Sequence, residues 1–271
     1  MNPRWAVNLV VLMLVAALAA AMRHELASER RAGTLTGLDP NRITQVEIQR
    51  AGQPVIHLIR TAEGWRLESP YAVAANDAKV DQLVQIASTP VFRSLPESGR
   101  PERLGLAPAR IRLTLDGLAL RFGDTDPIGH RRYVAIGDRI HLIDDGFQFH
   151  LLAPATDYVS RRLLPPDFRP VAGTLDDQPL TAQTLAKLGS LIATRVIPAG
   201  EEFSGRILSL RERETGQTIR FLISADRRRW TRVDLHLTFL LAAAPALRTA
   251  APSAPAAEPA PRATQNQGST P

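Results

Sequence analysis

AGQPVIHLIRTAEGWRL, Ala51 to Leu67, is the stretch on which the fold turns. Gly52 marks a turn, Val55 to Ile59 alternates apolar and polar, Glu63-Gly64 turns again, and Trp65 opens a third run. Alternation with a period of two is the signature of a half-buried strand. Upstream, Ile43, Val46 and Ile48 extend the pattern, so the segment reads as a three-stranded antiparallel meander with Trp65 as its core anchor. TGQTIRFLISADRRRWTRV, Thr215 to Val233, has the same order of parts: Gly-Gln turn, alternating strand, polar turn, Trp. Gly52 and Trp65 are 13 positions apart, Gly216 and Trp230 are 14. A looser copy surrounds Gly117 and ends near Tyr133.

Helical periodicity separates these blocks. Asn76 or Asp77 caps a segment carrying Val80, Leu83, Val84 and Ala87 on one face, and Pro90 stops it. Thr181 caps a second, carrying Leu185, Leu188 and Ile192. Between them Ile111, Leu113 and Leu115 alternate into the Asp116-Gly117 turn, and Arg132 to Ile136 faces Arg139 to Ile143 across Gly137-Asp138. The expected fold class is α+β: repeated antiparallel β-meanders with intervening helices, preceded by one N-terminal transmembrane helix. The expected organisation is an N-terminus at 1–4, an anchor at 5–22, a linker at 23–42, a first α+β domain at 43–164, a linker at 165–180, a second, smaller repeat at 181–241 and a disordered Ala/Pro-rich tail at 242–271.

Trp5 to Met22, WAVNLVVLMLVAALAAAM, has Asn8 as its one polar member and is flanked by Arg4 and Arg23. At 1.5 Å per residue, about 18 residues give roughly 27 Å, close to the ~30 Å bilayer core. A signal anchor, a cleaved signal peptide leaving through Ala17, Ala19 and Ala21, and a buried core helix all compete for it; length and flanking arginines favour the anchor. Arg23, Arg30 and Arg31 count toward a cytoplasmic body, but a long domain behind a short N-terminal segment is often exported regardless. The expected placement is the bacterial inner membrane, single-pass, with a periplasmic body.

The 271 residues carry a formal net charge of +6 and no cysteine, which excludes disulfides, thiol nucleophiles, cysteine metal sites and a lipoprotein anchor. Lys79 and Lys187 are the only lysines, so the basic balance is arginine. No aromatic-and-basic motif points to nucleic acid. There is no phosphate-binding glycine loop, no H-E-x-x-H and no G-x-S-x-G elbow, and no two histidines stand at i, i+4. The best polar cluster is His141, Asp144, Asp145 and His150, which as a base or metal site would need those groups to converge; the plainer reading is strand residues and helix caps. Asp176-Asp177 and Glu201-Glu202 read as loops. Arg227, Arg228 and Arg229, before Trp230, are the candidate contact for an anionic ligand or partner, or else a solvated hairpin turn. No catalytic, cofactor or metal residue is expected.

GWRLESP (Gly64 to Pro70), AANDAKVDQLVQIAS (Ala74 to Ser88), ERLGLAPARIRLTL (Glu102 to Leu115) and RRYVAIGDRIHLID (Arg131 to Asp144) together resemble the domain of unknown function 4340 family. The likeness covers roughly Ile43 to Leu164, and Ala75-Asn76-Asp77 departs from that family's Ala-Asp. The resemblance implies a membrane-anchored bacterial envelope protein, of a kind that accompanies ABC-type transporters, and supplies no catalytic residues. The expected function is a non-enzymatic scaffold or accessory subunit of an inner-membrane complex. A binding module for anionic glycan or lipid, and a hydrolase built on His141 to His150, are the alternatives.

Overall fold

The computed structural model describes residues 11–20, 22, 33–96, 101–200 and 204–250. Among the described residues sixteen strands form two sheets, both antiparallel throughout. The first sheet contains β1 (Gln45–Arg50), β2 (Ile56–Thr61), β3 (Gly64–Ser69), β4 (Val73–Ala74), β5 (Arg93–Pro96), β6 (Ile111–Leu115), β7 (Leu118–Thr125), β8 (Arg131–Ile136) and β9 (Arg139–Asp144). The second contains β10 (Pro170–Leu175), β11 (Gln178–Pro179), β12 (Arg195–Pro198), β13 (Arg206–Glu212), β14 (Thr218–Ile223), β15 (Arg229–Arg232) and β16 (Leu237–Leu240).

The alternation chooses which face is covered. Val46 and Ile48 of β1, Ile56 and Leu58 of β2, and Leu113 and Leu115 of β6 are wholly buried, while their neighbours reach outward. The second sheet does the same with Leu208, Leu210, Phe221 and Ile223. Buried residues of both sheets form one continuous apolar cluster, with a small satellite at Leu106, Ala135 and Ile140.

Helix is a minor component, which corrects the expected α+β class. Among the described residues the α-helices after residue 22 are Asp77–Val84, Gln148–Leu151 and Ala182–Leu188, none longer than eight residues. The apolar stripe of the first, Val80, Leu83 and Val84, continues into a 3-10 turn at Gln85–Ser88 that buries Ile86 and Ala87, so the whole covering face is only about three turns long. The architecture is mostly antiparallel β.

The transmembrane helix is corrected as well. Among the described residues no helix is long and apolar enough to cross a membrane. Residues 11–20 are helical, ten residues or about 15 Å against a ~30 Å core. Residues 5–10 and 21 of the expected anchor lie outside the described residues. The described residues therefore do not support the expected signal anchor, the inner-membrane placement or the periplasmic body.

Strand order exposes the internal repeat. The first sheet runs β4-β3-β2-β1-β6-β7-β8-β9-β5 and the second β11-β10-β13-β14-β15-β16-β12. The six strands β1-β6-β7-β8-β9-β5 match β10-β13-β14-β15-β16-β12 in order, and each unit places its helix just before the strand that returns to the far edge. The returning strands even share ends, Arg93–Pro96 and Arg195–Pro198. Thr215 to Val233 therefore corresponds to the β7–β8 region, not to Ala51 to Leu67: hairpins ending in Trp look alike, and only strand order separates them. The stretch read as a linker at 165–180 carries β10 and β11.

Candidate functional site

An open cleft of about 660 Å³ lies between the two sheets. One wall is the β2–β3 turn with β3 and β4, the opposite wall is the β13–β14 turn with Leu235 and Phe239, and the chain from Val159 to Phe168 runs between them.

The first wall is held by Asp77. Its carboxylate accepts the Trp65 N–H at 2.7 Å, and Gly64 sits above it with φ +119°. A Cβ at Gly64 would come within 2.9 Å of the same carboxylate, so this turn requires glycine. Trp65 itself is 4% exposed; its indole N–H donates to Asp81 at 3.0 Å and the Arg60 guanidinium lies 4.7 Å from its ring centre. Trp65 and Trp230 are both core side chains, Trp230 packing edge-on against Phe221 at 5.6 Å.

The connecting chain is fastened on both sides. Ser160 N–H donates to the Ala74 carbonyl and Asn76 N–H to the Tyr158 carbonyl, joining it to the first sheet. Ala193 N–H donates to the Arg161 carbonyl, and Arg162 bridges Ile192, joining it to the second unit. Val159, Leu163, Leu164 and Phe168 turn into the core, while Arg162 stays exposed at the cleft.

On the far wall Glu212 is buried, and its carboxylate is held by the turn that follows it. One oxygen accepts the Thr215 N–H at 2.6 Å, the Thr215 hydroxyl at 2.7 Å and the Glu214 N–H at 3.0 Å. Those bonds, the Thr215 N–H foremost, hold its pKa down at about 2, so it stays ionised in all but strong acid. Arg232 is likewise engaged, with a two-pronged pair to Asp234 at 2.5 and 3.0 Å. By contrast Arg162, Glu63, Asp167 and Glu214 line the cleft with no side-chain partner among the described residues. No histidine lines it, and among the described residues no group of three His, Asp or Glu is placed to hold a metal ion. The arrangement can grip a ligand by charge and apolar contact.

The other candidates fall elsewhere. Arg227 and Arg228 lie in the exposed β14–β15 turn, Arg229 opens β15, and none of the three lines the cleft. The Arg227 carbonyl accepts the Trp230 indole N–H, the Arg228 guanidinium donates to the Ala242 carbonyl, and Asp226, its carboxyl lowered by the Ser224 hydroxyl, accepts the Arg228 N–H. The His141, Asp144, Asp145 and His150 group does not converge. His141 Nδ1 pairs with Ser94 Oγ at 2.9 Å, Asp145 takes both prongs of Arg132 at 2.6 and 2.7 Å, Asp144 is exposed beside Arg131, and the His150 ring lies between Phe147 and Phe149. Burial lowers both histidine pKa values, with Arg139 adding at His141 and Lys79 at His150. Asp176 is a turn residue whose pKa is lowered chiefly by Arg206, and Glu201-Glu202 lie outside the described residues. Arg162 escaped the sequence reading because nothing local marks it: SRRLLPPDF acquires meaning only when residues 75 and 192 close on it.

Compared with known proteins, the chain matches no family model, no curated protein and no solved structure. The resemblance to the domain of unknown function 4340 family rests on its motifs alone.

Proposed function

We propose that this protein is a non-enzymatic scaffold or accessory subunit that holds a polypeptide segment of a partner in the cleft between its sheets. The observation that carries this reading is the mixed lining of that cleft, where Ala72, Val73, Pro166 and Leu235 leave apolar surface open beside unpartnered charges of both signs. Small-molecule sites are mostly enclosed and apolar with a few placed polar groups. Protein–protein contacts are about as polar as ordinary surface. The open, mixed cleft suits the second class, and the family resemblance directs the search for its partner toward ABC-type transporter assemblies. An anionic glycan held by Arg227, Arg228 and Arg229 is less supported, because Arg228 is tied to Ala242 and Asp226 sits under the same turn.

Photo-crosslinking in intact cells tests this, with a photoreactive side chain at Ala72 or Gln217 on the two walls and at Arg227 as the outlying position. One reproducible protein adduct from both walls and none from Arg227 is expected. Adducts from Arg227 alone, or a purified chain that turns over a substrate, would sink the reading.

A further inference from the structure

The charged side chains of the cleft divide into two groups. Arg232 and Glu212 are consumed by neighbours, Asp234 for the one and the 214–215 turn for the other. Arg162 on the connecting chain and Glu214 on the far wall are unpartnered among the described residues, as are Glu63 and Asp167. Arg66 makes only a long contact, 3.4 Å, to the Ala72 carbonyl. Charges that serve the fold use one another up, as Arg132 and Asp145 do at 2.6 Å. Those left open face whatever enters.

We infer that the cleft receives an extended polypeptide segment of mixed charge, one of whose carboxylates is taken by Arg162 while a cationic side chain of the same segment meets Glu214. This rests on the cleft being the partner site. A guanidinium fork matches a carboxylate with two parallel N–H donors, which fixes register as well as adding attraction. A uniform polyanion, nucleic acid or sulfated glycan, would bring like charge against Glu63, Asp167 and Glu214. A mixed-charge peptide meets complementary groups on both sides, with Val73, Pro166 and Leu235 open to its apolar residues.

The probe is a phage-displayed library of random dodecapeptides selected on the full chain, with enriched peptides then measured in solution by fluorescence anisotropy. Enriched peptides should carry an acidic and a basic residue. Arg162→Glu and Glu214→Arg should each weaken them about tenfold, a 1.4 kcal/mol difference. Ala72→Trp, at an exposed position on the wall, should abolish binding, and Arg228→Ala should not alter it. Peptides blocked by Ala72→Trp yet indifferent to Arg162→Glu would overturn the carboxylate assignment and leave the cleft as the site. No enrichment, or binding indifferent to Ala72→Trp, would overturn the site itself.

Discussion

The two units share one strand order but differ at one end. After β10 the second turns straight back into the two-residue β11, whereas after β1 the first runs on through a full hairpin, β2 and β3, and then β4. That added hairpin is not ornament on an edge: its tip and its last strand are one wall of the cleft. A repeated scaffold thus supplies core in both units, and the segment without a counterpart supplies one of the two cleft walls, the other coming from the repeated β13–β14 turn.

Substitutions in the two units test this contrast, and the largest effect belongs to the tryptophans. Trp230→Ala removes a side chain 1% exposed and packed on Phe221, so a loss of about 4 kcal/mol is expected. Trp65→Ala should cost somewhat less, about 3 kcal/mol, because its polar edge and the Arg60 contact leave it nearer water. Urea unfolding of both variants measures this. Because the buried residues form one cluster, each should unfold in a single transition; two separated transitions would break the picture of a shared core.

Next comes Arg132→Ala. It strands the Asp145 carboxylate, at 18% exposure, and frees the Gly123 carbonyl that Arg132 holds at 2.6 Å. A loss of about 3 kcal/mol is expected in the same assay. Gly64→Ala and Gly216→Ala separate the two hairpins more finely. The first meets the Asp77 carboxylate and φ +119°, the second only the distant Arg211 side chain at φ +69°. About 2 kcal/mol is expected for Gly64 and about 1 for Gly216. Equal losses would show that the first turn is not specially braced.

The smallest effect is a pH dependence. Because Glu212 titrates lower in the fold than in the open chain, its contribution is complete above its ordinary range and fades as pH falls toward about 2. Thermal unfolding followed from pH 6 to pH 2.5 should decline less steeply in Glu212→Gln than in the parent chain.

The strands were legible because alternation is a local signal. Asp116-Gly117 is the turn it promised, with φ 45° and 86°, and Arg131 to Asp144 is the hairpin expected around Gly137. Helical class was misjudged because Val80, Leu83 and Val84 state a face without stating its length. The register of the repeat was lost because hairpins are locally degenerate. The cleft was invisible because its parts meet across long separations, Ala75 with Val159 and Arg162 with Ile192. Arg227 to Arg229 stood out by being consecutive, which is a property of sequence and not of a site.

One last consequence belongs to the connecting chain. Between Val159, bridged to the first sheet, and Arg162, bridged to the second unit, lie three residue steps, at most about 11 Å of chain. So short a span, beside an apolar core shared by both units, ties the two sheets closely together. Widening the cleft would mean breaking backbone bonds on one side, which is local unfolding and not a swing of rigid halves. Encounter with a partner should then proceed without a slow opening step, and better and poorer segments should differ mainly in how long they stay bound.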